Sequence, residues 1–334
     1  MPEFRQNIAT REWVIIATER AKRPEQFIKA AQESVRDRPA HDPKCPFCPG
    51  NEELDLERLR LPEAEHWQVR VVANRFPALQ EENETTPIYE RVGHALAGIG
   101  YHEVVVESRH HNTCPALESV EEIELTLRAN QIRGMAIMQD TRIVQLIYFK
   151  NHGISAGASL LHPHTQILAL PIVPHSIEDR LATARRYHES NGECVFCRIL
   201  AEEEQSGQRI IMQTEHFSSF IPYAAASPFH CWIVPRQHGP CFLSASATQL
   251  HELAIMVHDI LRRLFFGLGD PDYNYVIRTA PRFEQQASYL HWYVSIVPRV
   301  VRQAGFEIGS GMYINTALPE ASARFLRELV IDTP

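Results

Sequence analysis

The chain has 334 residues, 44% hydrophobic and 22% charged, with a formal net charge of −8. This length allows two domains of ordinary size, and the acidic balance argues against a nucleic-acid-binding protein, which needs a broad basic face. No apolar run approaches the roughly 18 residues that cross a bilayer, and residues 1–6 lack the layout of a secretion signal, so we expect a cytoplasmic protein with no membrane partner.

The first half of the chain predicts a set of short strands around one helix. A strand pattern at residues 12–17 precedes the basic run at 20–24. Further runs rich in β-branched and aromatic residues predict strands at 69–73, 102–107, 143–149 and 165–170. A capping box that opens at Ser119, followed by apolar residues at helical spacing, predicts a helix over about residues 120–139.

The second half repeats this order. It predicts strands at 217–222, 229–234, 273–278 and 292–297, and a capping box that opens at Ser246 predicts a helix over 247–266. A polar helical linker at 176–189 separates the halves, and residues 319–330 predict a closing helix. The strand–strand–helix–strand–strand order favours an α+β fold, an antiparallel sheet with helices on one side. We expect two domains, at 1–175 and 176–334.

One arrangement of metal-binding residue types occurs twice, in the same order along the chain. The two sets are Cys45, Cys48, His111 and His162, and Cys194, Cys197, His238 and His291. The two histidines of a set lie 51 residues apart in the first and 53 in the second, and eight residues separate each middle histidine from the next capping serine.

Two thiolates and two imidazoles are the ligand set of a closed tetrahedral zinc site, which leaves no open position for a catalytic water. Each set therefore predicts a structural zinc site. A redox pair, a chance C-x-x-C or buried structural cysteines are the alternatives. His110 is an alternative to His111, although the eight-residue spacing favours His111.

The run His162-Pro-His164-Thr-Gln166 supplies the catalytic candidates. Alternate residues of a strand point to the same face, so these three polar side chains would line one surface. With His162 committed to metal, His164 is free to act as a nucleophile toward phosphorus, and Gln166 can donate to a phosphoryl oxygen. Tyr293 stands where the second half would have the second histidine, which confines the chemistry to the first half. Two ordinary surface or metal histidines are the alternative.

A stretch of small residues, 151–159, leads directly into this run. Its glycines allow backbone N–H groups to approach phosphate oxygens closely, although a plain turn fits the same pattern. Arg20, Lys22 and Arg23 are the candidate cations for a diphosphate, or else a solvated surface run.

These pieces together resemble the galactose-1-phosphate uridylyltransferase family of the histidine-triad superfamily. The matched segments are residues 20–24, 45–51, 74–77, 151–159 and 162–166. The resemblance implies two duplicated histidine-triad-like halves, a homodimer whose subunits complete each other's sites, and a double displacement through a nucleotidyl-histidine at His164. It also implies phosphate contacts at Arg20, Arg23, Asn151, Gly157 and Ser159, and a ribose contact at Asn74.

Two departures concern the substrate. Members that bind galactose have a Glu followed six residues later by Gln; here Glu307 is followed by Tyr313. The second Cys/His set also differs from the iron-type second site of some members. The leading hypothesis is a UDP-glucose–hexose-1-phosphate uridylyltransferase of galactose metabolism, with Glu307 as a substrate-binding residue. An ADP-glucose phosphorylase is the alternative, and a non-catalytic nucleotide-binding zinc protein is the third.

Overall fold

The computed structural model describes residues 1–17, 27, 34–63, 66–82, 87–90 and 93–331. The strands in these ranges are β1 (Glu3–Gln6), β2 (Trp13–Ile16), β3 (Glu57–Leu61), β4 (Val69–Ala73), β5 (Pro87–Glu90), β6 (Gly93–Leu96), β7 (Tyr101–Val106), β8 (Gln145–His152), β9 (His164–Leu170), β10 (Ile210–Gln213), β11 (Phe217–Phe220), β12 (Cys231–Pro235), β13 (Tyr273–Arg278), β14 (Tyr293–Pro298) and β15 (Tyr313–Asn315). The α-helices are α1 (Val120–Ile137), α2 (His175–Asn191), α3 (Val195–Ser206), α4 (Ala247–Leu268), α5 (Gly305–Ser310) and α6 (Pro319–Glu328).

Ten of the strands form one antiparallel sheet, in the order β10-β11-β12-β14-β13-β8-β9-β7-β4-β3. Each half of the chain contributes five neighbouring strands of the sheet, and the halves meet where β8 pairs with β13. Reading outward from this central pair, β8, β9, β7, β4 and β3 match β13, β14, β12, β11 and β10. The repeat in the sequence is therefore an internal duplication arranged about the middle of one sheet.

The main hydrophobic core lies on one face of this sheet, beneath α1 and α4. Both helices begin with the predicted capping boxes, at Ser119 and Ser246, in which the serine side chain accepts from the backbone N–H three residues on. Their apolar sides, including Ile123 and Leu253, are fully buried in the core. The α+β fold with helices packed on an antiparallel sheet is confirmed.

A second core lies on the opposite face of the sheet, under α2 and α3. Along β12, Ile233 belongs to the main core, whereas its neighbours Trp232 and Val234 belong to the second core together with Phe196 of α3. The prediction of helices on one side is therefore wrong for the second half. The corresponding face of the first half carries the cleft described below.

The predicted strands and helices are present, with ends shifted by a few residues. The elements that were missed are the strands β1, β3, β5, β6, β10 and β15 and the helices α3 and α5. The edge strands β3 and β10 are short, and β3 alternates leucine with charged residues, Glu-Arg-Leu-Arg-Leu. Helix α3 begins inside the second C-x-x-C, where the spacing predicts only a metal site.

A small sheet joins the two ends of the chain: β1 pairs with β2 antiparallel, and β2 pairs with β15 parallel. None of the helices in the described parts of the chain is both long and apolar enough to cross a membrane.

Candidate active site

The first Cys/His set comes together as a compact cluster. Ligand atoms of Cys45, Cys48, His111 and His162 all lie within 4.8 Å of one another, and all four residues are buried. The Nδ1 atoms of His111 and His162 each lie 3.6 Å from Cys48 Sγ. A tetrahedral zinc ion with bonds of about 2.3 Å to sulfur and 2.0 Å to nitrogen holds its ligands roughly 3.5 Å apart, so the spacing fits zinc.

Hydrogen bonds around this cluster orient its side chains and set the tautomer of His162. His162 Nε2 donates to the carbonyl oxygen of Ser108 at 2.8 Å, which leaves the lone pair on Nδ1, facing the cysteines. The backbone N–H of Asp42 donates to Cys48 Sγ. Burial raises the pKa of Cys45 to about 11, so its thiol is neutral until a cation displaces the proton.

The second set also forms a cluster within 4.8 Å. Cys197 Sγ lies 3.3 Å from Nδ1 of His238 and 3.5 Å from Nδ1 of His291. A hydrogen bond from the neighbouring thiol of Cys197 lowers the pKa of Cys194, and hydrogen bonding to Cys194 raises the pKa of His238. His238 is exposed, so this cluster lies closer to the surface than the first.

His164 begins β9, two residues after the metal-cluster histidine His162. Its Nδ1 donates to the carbonyl oxygen of His162 at 2.8 Å, since a carbonyl can only accept. The lone pair is therefore on Nε2, which has no hydrogen-bond partner among the described residues. Burial lowers the pKa of His164 to about 4, so the imidazole is neutral near pH 7.

Gln166 lies on the same face of β9 and is oriented by His102, a histidine to which the sequence patterns assign no role. His102 Nδ1 accepts from the backbone N–H of Ala78 at 3.1 Å, so its proton is on Nε2. That Nε2 donates to Gln166 Oε1 at 2.8 Å, which leaves the amide N–H groups of Gln166 free to donate elsewhere. The side-chain nitrogen Nδ2 of Asn74 lies 3.1 Å from Nε2 of His102. The sequence signal for His102 is its place at the start of the predicted strand 102–107; the structure places it on β7, opposite Leu168 of β9.

The loop that follows β8 is held by the second half of the chain. The side chain and the backbone N–H of Ser155 both donate to Asp272, and Asn274 donates to Asn151 Oδ1 at 2.7 Å. Gly153 and Gly157 have φ angles of +84° and +89°, which side chains other than glycine rarely adopt. The loop is therefore built from one half and fixed by the other.

His164 and Gln166 face a cleft of about 400 Å³. Its walls combine apolar and polar side chains: Phe47, Leu56, Val72, Phe76 and Val104, with Glu53, Arg70, Asn74, Arg75 and Ser159. Arg70 is buried, donates to Glu57, and has a buried Nη2 without an acceptor in the described parts of the chain. A cleft of this size and polarity suits a nucleotide-sized ligand.

The remaining predicted substrate residues are placed differently. Asn151 lies on β8, which pairs with β9, the strand that begins at His164. Gly157 ends the helical turn Ile154–Ala156 in the loop after β8. Neither residue lines the cleft. Glu307 lies in α5 and lines a different pocket, so a single chain does not bring it to His164. Arg20 and Arg23 lie outside the described residues.

The model of the galactose-1-phosphate uridyl transferase N-terminal domain matches residues 1–174, just over half of the chain. The chain belongs to this family. The similarity to relatives of this family extends beyond the matched domain, over almost the whole chain.

Two curated relatives cover almost the whole chain. An ADP-glucose phosphorylase of Arabidopsis thaliana is 36% identical over 98% of this chain and 93% of its own length. A galactose-1-phosphate uridylyltransferase of Thermotoga maritima is 29% identical over 99% of this chain and 100% of its own. A solved structure of an Arabidopsis thaliana ADP-glucose phosphorylase with bound ADP-glucose superposes with a TM-score of 0.84 at 34% identity, covering 99% of this chain and 100% of that one. The resemblance to the family is confirmed.

Proposed function

We propose that the protein is a nucleotidyltransferase in which His164 carries a nucleoside monophosphate between a nucleotide sugar and a phosphate-bearing acceptor. The observation that carries the proposal is the state of this imidazole. Its Nδ1–H is engaged by the His162 carbonyl, and its unpartnered Nε2 lies at the wall of a nucleotide-sized cleft. A neutral imidazole with a free lone pair is a competent nucleophile toward phosphorus.

In the first step, the Nε2 lone pair attacks the α-phosphorus and a P–N bond forms. The bond from that phosphorus to the bridging oxygen breaks, and sugar 1-phosphate leaves with the oxygen and the electron pair. The imidazole then carries a positive charge, which the His162 carbonyl stabilises through Nδ1–H. In the second step, an oxygen of the acceptor phosphate attacks the same phosphorus, the P–N bond breaks, and neutral His164 returns.

Gln166 is suited to stabilise the transferring phosphoryl group. Because His102 holds its Oε1, its N–H groups are available to the nonbridging oxygens as negative charge develops on them. We assign Ser159, Asn151 and Gly157 to the phosphates and Asn74 to the ribose, as the resemblance implies. Arg20 and Arg23 complete this assignment as phosphate-binding cations.

The two Cys/His clusters fit zinc in donor type and spacing, and we propose that zinc braces the fold at both. In the first cluster the ion would be held by Cys45, Cys48, His111 and His162. Four protein ligands leave no position for a reacting water, so the ion would stabilise the chain that carries His164 and supply no step of the transfer.

We propose ADP-glucose and inorganic phosphate as the first substrates to test, with ADP and glucose 1-phosphate as products. The 36% identity to an ADP-glucose phosphorylase over 98% of the chain supports this choice, as does Tyr313 in place of the glutamine of galactose-binding members. Release of ADP from ADP-glucose and phosphate is the expected result. Turnover restricted to uridine nucleotides would exclude it.

The second candidate is transfer of UMP between UDP-glucose and galactose 1-phosphate. The family model and the Thermotoga maritima relative support it. UDP-glucose plus galactose 1-phosphate should then yield UDP-galactose and glucose 1-phosphate. In either case we propose a homodimer in which Glu307 acts in the partner's site, because it lies away from His164 within one chain.

One experiment separates enzyme from nucleotide sensor. The protein is exposed briefly to ADP-glucose or UDP-glucose without acceptor, and its intact mass is measured. A mass increase of one nucleoside monophosphate that maps to His164 supports the mechanism. Tight nucleotide binding without an adduct and without turnover would favour the sensor. His164→Ala should abolish transfer, and His164→Gly should regain part of it with added imidazole.

A further inference from the structure

A buried ion pair lies behind the strand that begins at His164, on the face of the sheet opposite the cleft. The ammonium group of Lys150 on β8 contacts a carboxylate oxygen of Glu107, and both side chains are 1% exposed. Lys150 is directly opposite Tyr275 of β13, which belongs to the main hydrophobic core, and residues directly opposite each other in an antiparallel pair share a face. The ammonium group therefore lies in the core, out of reach of a substrate in the cleft.

The ion pair contacts the backbone at His164. The Lys150 ammonium group donates to the carbonyl oxygen of His164 at 3.3 Å, and the backbone N–H of Glu107 donates to the carbonyl oxygen of Pro163 at 3.1 Å. The carbonyl oxygen of His162 accepts from the imidazole of His164 itself. The carbonyl groups of three consecutive residues are thus each held by a donor, at the point where the backbone passes from the first Cys/His cluster into β9.

The second half of the chain has an apolar residue at the position of Lys150. In the first half, Lys150 is opposite the residue that follows His164 in β9. In the second half, Tyr293 stands where His164 would be, and Ile277 is opposite the residue that follows it in β14. Ile277 is buried in the main core. The position that holds an ammonium group in one half therefore holds a hydrocarbon side chain in the other.

Pro235 takes the place of Glu107 in the second half. The register of β7 on β9 places Glu107 next after the residue opposite His164, and the register of β12 on β14 places Pro235 next after the residue opposite Tyr293. Pro235 is buried. A buried ion pair is often no more stabilising than apolar residues of similar volume, and the second half forms the same sheet with two apolar residues at these positions. The ion pair therefore accompanies His164 and is not a requirement of the sheet.

We propose that Lys150, held by Glu107, is a positioning residue for the transfer and fixes the backbone at His164 from the core side of the sheet. This inference rests on the proposed function, because it concerns the approach of His164 Nε2 to the α-phosphorus. The hydrogen bond to the His162 carbonyl orients the imidazole ring, and the ammonium group limits movement of the backbone that carries the ring. Since misplacing a reacting group by about 1 Å costs about a hundredfold in rate, loss of the ammonium group should slow the chemical step and leave nucleotide-sugar binding nearly unchanged.

The test compares two matched double variants. Lys150→Met/Glu107→Gln removes both charges of the ion pair together, so that neither is left unpaired in the core. Arg133→Met/Glu103→Gln is the control, because Arg133 of α1 and the buried Glu103 of β7 form an ion pair on the same face of the sheet, and its hydrogen bonds join α1 to β7. Adduct formation on His164 in a single turnover, steady-state kcat and KM, and thermal unfolding are measured with ADP-glucose and with UDP-glucose.

In Lys150→Met/Glu107→Gln, the rate of adduct formation and kcat should fall by about tenfold, while KM and the unfolding temperature stay close to those of the wild type. The control variant should keep the wild-type kcat and KM. An equal fall of kcat in the two double variants would overturn the proposal, because loss of any buried ion pair from this core would then have the same effect.

Lys150→Ile/Glu107→Leu is a second variant if the first does not fold, because apolar residues occupy the matching positions of the second half. It should show the same fall in kcat at nearly constant KM. A wild-type protein that forms no adduct on His164 would refute the proposed function, and this inference with it. A wild-type protein that forms the adduct, beside a folded Lys150/Glu107 double variant that forms it equally fast, would overturn this inference alone.

Discussion

At the scale of single residues, the site depends on which nitrogen of each histidine carries the proton. His164 and His102 illustrate this, because in each the backbone fixes the state of one ring nitrogen, Nδ1. The carbonyl of His162 requires a donor, so Nε2 of His164 is free to attack. The N–H of Ala78 requires an acceptor, so Nε2 of His102 becomes a donor for Gln166. Sequence spacing identified His164 and Gln166 as neighbours on one strand face, but tautomers depend on backbone groups that no spacing reveals.

We predict that His102→Phe lowers kcat by about tenfold while KM changes little. Without the Nε2–H donor, Gln166 Oε1 loses its partner, and the amide is no longer fixed for a charge that develops only in the transition state. Steady-state kinetics with the preferred nucleotide sugar measure this. His175→Phe, at an exposed histidine on α2, is the control. An unchanged kcat in His102→Phe would show that Gln166 needs no such support.

A second prediction concerns a buried acid behind the sheet. Glu118 is buried, and neither of its carboxylate oxygens has a hydrogen-bond partner in the described parts of the chain. Burial, and next the carboxylate of Glu107, raise the pKa of Glu118 well above its usual 4.5. The folded chain therefore holds the proton that the unfolded chain releases, and the free energy of unfolding falls as pH rises from about 4.5 toward the folded-state pKa.

Glu118→Gln should remove this dependence. The free energy of unfolding of Glu118→Gln, measured relative to that of the wild type, should increase from pH 5 to pH 8 by at most about 1.4 kcal/mol per pH unit. Urea unfolding at the two pH values gives the difference, and Glu121→Gln, at an exposed position on α1, is the matched control. The idea fails if wild type and Glu118→Gln lose or gain stability in parallel over this range.

At the scale of elements, the loop after β8 is held to the second half of the chain by hydrogen bonds. Gly153 has a φ of +84°, and an added Cβ would lie 2.1 Å from Asp272 Oδ1. Asp272 in turn accepts from Ser155. Gly153→Ala therefore both strains the backbone and displaces the group that fixes the loop, and we expect a loss of about 3 kcal/mol in unfolding free energy together with reduced transfer activity.

Gly192→Ala is the matched control for this change. Gly192 has a φ of +75° at the end of α2, but nothing lies within 4 Å of its added Cβ. It should cost only about 1 kcal/mol, from the left-handed backbone alone, and leave kcat unchanged. Thermal unfolding and kinetics of both variants make the comparison. Equal effects would mean that Asp272 does not hold the loop.

Most elements could be predicted from the sequence because their signals are local. The boxes at Ser119 and Ser246 fixed the helix starts, and β-branched runs indicated eight strands of the large sheet. Helix α3 and the edge strands were missed, since their patterns are short or overlap a metal motif. The pairing of β8 with β13, which joins the halves, depends on long-range packing and leaves no local pattern.

At the scale of the whole molecule, the duplication shows how the position of His164 differs between the two halves. Tyr293 stands at the position of His164, and its ring lies 4.6 Å from that of Trp232 and 5.2 Å from that of Phe196. In the first half, Val104 pairs with Gln166 and leaves open the space that Trp232 fills in the second. This position thus faces a cleft in the first half and lies in a packed core in the second.

We predict that Val104→Trp changes nucleotide-sugar binding and that Trp232→Val changes stability. Val104→Trp should fill the cleft and abolish nucleotide-sugar binding, with thermal stability nearly unchanged. Trp232→Val should leave a cavity that costs about 3 kcal/mol, with kcat nearly unchanged in the folded protein. Binding and unfolding measurements on both variants decide this. A Val104→Trp protein that binds as wild type would place the nucleotide elsewhere.

Disrupting the two Cys/His clusters should have different effects, because one of them includes His162, which contacts the proposed nucleophile His164. Cys45→Ser removes a ligand from the cluster that includes His162, whose carbonyl oxygen accepts from His164 Nδ1. We expect it to lower kcat by more than tenfold, since His164 loses the anchor that sets its tautomer and position.

Cys194→Ser removes a cysteine from the cluster beside Tyr293, in the half that lacks the proposed nucleophile. It should lower the temperature of unfolding and leave kcat within about twofold at temperatures where the chain stays folded. Metal content by elemental analysis confirms that each variant lost one ion, and kinetics below the unfolding transition compare them. If Cys194→Ser reduces kcat as strongly as Cys45→Ser, then bracing of the fold as a whole, and not the local hold on His164, is what the metal provides.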